Sequence, residues 1–370
     1  MISVLIPYRN REIVRVKRCL DSLHAQLFAD FEAILVDNGS DENISEEIKK
    51  ATSSYPFCKY VFTNTRGLIW NRSYALNVGA QASVGDILMM ADIDLIFEPY
   101  FLEKMGTLNF TGNFYNYRCI YLPEGYVYEN RTWETFGNKK YRNSGNSRGL
   151  LVVSKKDFVS INGYDEYYQQ WGVEDDDMDK RLKLSNLTQH YLNENEFVSL
   201  HQWHTESYTN FPTMWYIHML NYCGENQEIK RNLNGFGKTL KIEDRVDFSK
   251  HQNQKNTIIP TKNLSITGFN EIIKLFFEKQ ANETILVSYK QPDDFKESGF
   301  IKKTKDFVLQ YFIKNKHIQD QNAILARSYL TTEALYDFIA YFISINRLYI
   351  SDYFIEYKYQ VSLNVFIIRK

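Results

Sequence analysis

The sequence predicts an α/β fold with a mostly parallel central sheet in residues 1–235, and a smaller α/β or α+β domain in residues 263–370. Three observations carry that expectation. Short apolar runs end in polar clusters, stretches of helical periodicity separate them, and near residue 232 the pattern gives way to a polar connection. Strands alternating with helices pair in parallel, and parallel strands covered on both faces read as continuous apolar runs.

In chain order, Val4-Leu5-Ile6 reads as a buried strand stopped by Pro7. Ile13, Val16, Leu20 and Leu23 then recur near the helical period. Ala33 to Val36 form a second buried strand that ends in Asp37-Asn38-Gly39-Ser40, a run of turn-forming residues. A helix over Asn43 to Lys50, a strand at Tyr60-Val61-Phe62 and a helix over Tyr74 to Ser83 follow, and Ile87 to Met90 is a fourth strand leading into Asp92-Ile93-Asp94. Residues 109–148 read as strands with mobile loops. A helix follows the acidic run at Glu174 to Asp177, with Met178, Leu182 and Leu184 inward, and Phe197 to Leu200 is a further strand. Residues 236–262 read as a linker. Beyond it Ile272 to Phe277 and Thr332 to Ile345 look helical, and Thr284 to Ser288 and Tyr349 to Ile368 look strand-like.

Composition removes several function classes. The 370 residues carry 44 Lys plus Arg and 45 Asp plus Glu, which is not the charge of a nucleic-acid clamp. Residues 241–370 are about +4 and the rest about −5 by count. The four cysteines (Cys19, Cys58, Cys119, Cys223) form no CxxC pair, so reduced thiols are expected rather than a zinc knuckle or disulfide framework. No apolar stretch reaches the roughly 18–20 residues of a membrane span, and the N-terminus does not read as a signal peptide. Neither GxGxxG nor GxxxxGK[ST] occurs, which argues against dinucleotide and P-loop enzymes.

Chemistry-bearing residues gather at the ends of the apolar strands, where open α/β sheets bind ligands. Asp92 and Asp94 can share one hard cation, though Asp-x-Asp alone also describes a solvated turn. Glu174 to Asp177 either cap a helix or hold a general base, and both readings stay open for different members of the run. His201 and His204, after an apolar strand, suit a divalent ion. Arg9, Arg11, Arg66 and Arg72 lie in or near strand-end loops, where forked guanidinium groups suit a diphosphate or a uracil ring. Arg15 and Arg18 read as surface charge.

Together these residues resemble a nucleotide-sugar glycosyltransferase of the GT-A fold. Residues 2–11 and Val36 to Ser40 resemble the family 2 inverting transferases. More specific elements resemble the β-1,4-galactosyltransferases: Pro7-Tyr8-Arg9-Asn10-Arg11, Trp70-Asn71-Arg72 with Leu76-Asn77-Val78-Gly79, Asp92-Ile93-Asp94-Leu95-Ile96, and Trp171 through Asp177. They occur in the family's order across roughly residues 2–215.

The resemblance implies that Pro7, Tyr8, Arg9, Arg11, Asp37, Arg66, Arg72, Asp92, Ile93 and Gly149 bind the nucleotide sugar. It implies Asp94, His204 and His201 as ligands of Mn²⁺ or Mg²⁺, Asp175 as catalytic base, and Glu174 with Trp171 at the acceptor. Tyr8, Trp70 and Trp171 are expected to offer flat rings to a sugar or nucleotide. Loops around 138–148 and 203–212 are expected to close over the donor. The expected reaction is inverting transfer of a hexose or N-acetylhexosamine, galactose or GalNAc type favoured, from a UDP-sugar to a glycan or lipid-linked oligosaccharide. A family 2 capsule or lipopolysaccharide transferase using UDP-GlcNAc or UDP-glucuronate is the alternative, and an inactive carbohydrate-binding scaffold is the alternative of another class. A cytoplasmic, bacterial-type enzyme without nucleic-acid partners is expected, with peripheral membrane association and a homodimer through the C-terminal domain left open. Two departures stand out. Asn146-Ser147-Arg148-Gly149 replaces Tyr-Phe-Gly-Gly in the donor pocket, and Val173 replaces a Gly beside the acidic run.

Overall fold

A computed structural model gives the architecture of residues 1–126, 150–170, 172–204, 218, 222, 228–248, 257–261, 266–290, 332–358 and 361–370. The chain divides into two compact units, Met1–Asp244 and Arg245–Lys370.

The first unit is mixed α/β. Its seven-stranded sheet runs β3-β2-β1-β4-β8-β6-β9. The half made of β3 (Cys58–Thr63), β2 (Phe31–Asn38), β1 (Ile2–Tyr8) and β4 (Ile87–Met90) is parallel throughout. Helices α1 (Ile13–His24), α2 (Glu42–Thr52) and α3 (Arg72–Ala82) supply the crossovers. Two core clusters pack against these strands: one includes Val4, Ile6, Val16, Leu20 and Leu35, the other Leu5, Ile34, Val36, Leu76 and Met90. Neighbours along β1 and β2 alternate between the clusters, so the sheet is buried on both faces and its strands have to be apolar throughout.

Pro7 does not stop β1. The strand continues to Tyr8, and Pro7 pairs with Val36 of β2 beyond Leu5, the last residue paired to β4. A proline is tolerated where one ladder has already ended.

The second half of the sheet changes direction. β8 (Leu151–Ser154) is antiparallel to both β4 and β6 (Asn113–Asn116), while β9 (Thr188–Tyr191) is parallel to β6. A separate ribbon joins β5 (Leu95–Phe97), β10 (Ser199–His201) and β7 (Ile120–Tyr121). α4 (Phe101–Gly106), α5 (Lys155–Ser160) and α6 (Glu174–Leu184) complete the helices used below. Met178 and Leu182 of α6 are buried as expected, but Leu184 is exposed because α6 ends there and the chain turns away through Ser185.

In the second unit β11 (Thr257–Thr261), β12 (Thr284–Lys290), β14 (Ser362–Arg369) and β13 (Ile350–Lys358) form a mixed sheet in that order. β11 is parallel to β12 across the helix Ile266–Glu278, and the remaining pairs are antiparallel. Residues 236–262 are therefore not all connection: Ile242–Asp244 form a 3₁₀ turn and Thr257–Thr261 belong to this sheet. The loops expected within 127–149 lie outside the described residues, as does Cys223; Cys19, Cys58 and Cys119 are free thiols. Among the described residues no helix is long and apolar enough to cross a membrane.

Candidate functional site

The end of β4 and the ribbon beside it assemble the first cluster. β10 pairs antiparallel with β5 so that His201 faces Leu95, and the Gln202 N–H donates to the Asp94 carbonyl at 2.8 Å. That register sets two imidazoles against one buried carboxylate. His201 Nε2 lies 3.5 Å from Asp94 Oδ1, and His204 Nε2 lies 3.3 Å from Asp94 Oδ2. One ligand atom from each residue falls within 4.8 Å of the others. Tyr121 packs on the His201 ring with centroids 4.6 Å apart.

These residues fit a divalent metal. Asp94 Oδ1 is buried without a hydrogen-bond partner, an arrangement that calls for an unseen partner such as an ion. Burial opposes ionisation of Asp94, but the imidazoles of His201 and His204 and the Arg11 guanidinium outweigh it and hold the carboxyl below its usual range. Burial also lowers His201, favouring the neutral imidazole that ligates metals.

A second cluster joins α3 to α6. Asn71 caps α3, accepting from the Tyr74 N–H at 2.8 Å. The next residue, Arg72, donates from Nε to Asp92 Oδ1 at 3.1 Å and from Nη1 to Asp175 Oδ1 at 3.0 Å. One guanidinium thus bridges the strand-end carboxylate and the expected base. Burial raises Asp175 against the pull of Arg72, with Asp92 adding to the rise. Burial and the neighbouring Asp175 push Glu174 up to about 8.

The acidic run divides by role. Glu174 and Asp175 make up the cluster with Arg72, while Asp177 belongs to the support beneath it. Arg181 Nε reaches Asp177 at 2.6 Å and its Nη1 donates to the Gly163 carbonyl at 2.7 Å, while Arg231 approaches both Asp165 and Asp177. Entry into α6 is strained: Gln170, Gly172 and Val173 all have positive φ, 76° at Val173. A β-branched residue there is uncommon and costs roughly 1–3 kcal/mol. It stands where the resembled family has glycine.

Other expected site residues are held by partners within the fold. Tyr8 is fully buried and its hydroxyl donates to the Arg11 carbonyl at 2.6 Å, so its ring is core and offers no face to a ligand. Asp37 is fully buried and accepts from Ser40 N–H, Ser45 Oγ and Tyr60 Oη, each at 2.8 Å, so its carboxylate shapes the loop after β2. Gly39, at φ 75°, leaves no room for a Cβ, which would sit 2.3 Å from the Arg66 nitrogen. That close approach places Arg66, whose Nε donates to the Ser40 carbonyl at 3.0 Å. Arg9 donates to the Leu68 carbonyl at 2.7 Å, and the Trp70 carbonyl accepts from Gln170 N–H. Pro7 and Ile93 are buried, Ile93 within the core. Trp171, Gly149 and most of 138–148 and 203–212 lie outside the described residues. Arg15, read as surface charge, instead donates to the Trp203 carbonyl at 3.4 Å beside the histidine pair. Its spacing from Arg18 was legible, but its partner Trp203, just past β10, is 188 residues away.

Two family models match stretches of the first unit. The family described as glycosyl transferase family 2 matches residues 3–141, and the N-terminal domain of galactosyltransferase matches residues 133–210. An uncharacterized glycosyltransferase of Haemophilus influenzae is 29% identical over 208 residues, covering 52% of this chain and 66% of that protein. Human β-1,4-galactosyltransferase 4 is 25% identical over 190 residues, covering 50% and 43%. The chain spans less than two thirds of the length of either relative. Among solved structures, S. aureus TarS in complex with UDP-GlcNAc is similar with a TM-score of 0.45 and 15% identity, over 59% of this chain and 64% of that one. The two family matches overlap at residues 133–141 and together run over residues 3–210.

Proposed function

We propose that this chain is a metal-dependent inverting glycosyltransferase that moves a hexose or N-acetylhexosamine from a UDP-sugar to a sugar hydroxyl. The observation that carries the proposal is the juxtaposition, at the carboxyl ends of the parallel strands, of the Asp94–His201–His204 cluster and the Asp92–Arg72–Asp175 bridge. The family matches over residues 3–210 support the reaction class.

Asp94, His201 and His204 would hold the cation, and two imidazole ligands favour Mn²⁺ over Mg²⁺, which prefers oxygen. When bound, the cation supplies Lewis-acid neutralisation of the charge growing on the departing diphosphate. Arg11 adds a guanidinium close enough to Asp94 to lower its carboxyl. Asp175 accepts the proton of the acceptor hydroxyl as that oxygen attacks the anomeric carbon from the face opposite the phosphate, and the bond from the anomeric carbon to the phosphate oxygen breaks to release UDP. A carboxyl raised by burial is the better base near neutral pH. Arg72 orients Asp175 and opposes the rise that burial imposes on its carboxyl. Glu174, pushed up to about 8, carries a proton near neutrality and so donates a hydrogen bond to an acceptor oxygen.

The test is a transfer screen. Purified protein with Mn²⁺ and each common UDP-sugar should release UDP from one of them, faster with glycan acceptors present. Failure with every UDP-sugar, alongside turnover of another nucleotide sugar, would replace the donor class.

A further inference from the structure

A cleft of about 360 Å³ is lined by Arg11, Arg15, Arg18, Gln202, Trp203 and His204, and His204 also belongs to the Asp94 cluster. That volume is at the small end of ligand sites. Its charge is uneven: Glu12 is the one acidic residue among the described lining residues, against three arginines. Glu12 pairs with Arg15 at 3.3 Å but is 73% exposed, and such a pair contributes little.

Arg15 and Arg18 are three apart and share a face of α1. Arg15 Nη1 reaches the Trp203 carbonyl, yet its Nε is buried with no hydrogen-bond partner. Gln202 fixes the wall by donating to the Arg15 carbonyl at 3.1 Å. The start of α1 also lines the cleft, with no side-chain cap and no acidic residue in its first turn. Its uncapped N–H groups add to the positive potential. Trp203 leaves 39% of its surface exposed at the lip, a flat apolar face of the kind that packs on a sugar ring.

The donor does not use up this charge. On the reading above, its diphosphate is met by the cation and Arg11 rather than by Arg15 and Arg18, and Arg18 Nη1 also donates to Gln202 Oε1 at 3.5 Å. We propose that this cleft is an acceptor subsite for an acidic sugar, with a carboxylate or phosphate on Arg15 and Arg18 and the ring against Trp203. The inference rests on the glycosyltransferase reading and deepens it by naming the acceptor as anionic.

The experiment titrates protein saturated with UDP and Mn²⁺ with methyl β-glucuronide, glucose 6-phosphate and neutral methyl β-glucoside. The preceding titration with UDP and Mn²⁺ is the control: no binding there contradicts the glycosyltransferase reading itself. Given that binding, at least one anionic sugar is expected to bind tenfold or more tightly than the neutral one, since charge-assisted bonds are the strong ones. The stronger of the two probes distinguishes carboxylate from phosphate. Arg15→Gln with Arg18→Gln should remove the preference while UDP affinity stays within about twofold, and the corresponding Lys double variant should restore part of it. Equal binding of all three sugars, or a preference kept by the Gln variant, would overturn the inference. Loss of UDP affinity in the Gln variant would also overturn it, by assigning the arginines to the donor.

Discussion

Asp94 and Glu174 are both buried carboxyl groups in the same unit, yet their surroundings push them in opposite directions. Asp94 faces two imidazoles and has Arg11 nearby, and its carboxyl is held low. Glu174 is raised by burial and by Asp175, and Asp175 is itself raised although Arg72 touches it. Burial alone would have raised all three. The difference teaches that positive neighbours decide which carboxylate is prepared for a cation and which for a proton, and such divergence marks acid–base assignments in enzymes.

The largest effect should come from removing the proposed base. Asp175→Asn is expected to lower the transfer rate by about 10²–10⁴ while UDP affinity changes little. Steady-state kinetics with a UDP-binding titration checks this, and loss of UDP binding would erase the distinction between the two clusters. Next, Arg72→Lys should lower kcat/KM by about tenfold or more, because an ammonium cannot reproduce the forked bridge from Asp92 to Asp175. A variant with unaltered kinetics would show that the bridge does not position Asp175.

A smaller effect concerns pH. Glu174 has a folded value of about 8 against 4.5 unfolded, so between these values the unfolded chain loses its proton first. Folding stability therefore falls as pH rises through that window, and the penalty is absent below about 4.5. Glu174→Gln should flatten that fall and raise Tm at pH 8 by roughly 2–4 °C for each kcal/mol relieved. Melting curves at pH 5 and pH 8 that fall equally for both proteins would contradict the assignment. Smallest of all, Val173→Gly should shift Tm by less than about 2 °C, since released strain offsets lost burial. Val152→Gly in β8, buried and unstrained, should cost several degrees.

Legibility from sequence followed the same divide between clusters and surroundings. The parallel half of the sheet was plain because strands buried on both faces must be apolar throughout. The short strands β6 to β9 were not resolved one by one; β7 has two residues and β9 is mostly exposed, so neither presents a periodic pattern. Asp94, His201 and His204 stood out through residue type, and folding brought them together across more than 100 positions. For Tyr8 and Asp37 the sequence does not separate a ligand role from a core or loop role, because an aromatic ring or an acid at a strand end serves either equally well. The bond from Arg15 to Trp203, and the bridge from Arg72 to Asp175, depend on partners more than 100 residues away that no local spacing reveals.

The central claim is that the carboxylate held low carries a metal that holds the donor. Titration of UDP into the protein with and without Mn²⁺, repeated with Asp94→Ala, tests it most directly. Mn²⁺ is expected to tighten UDP binding in the native chain and to have no such effect in the variant. UDP binding of equal strength with and without Mn²⁺ in the native chain would contradict it.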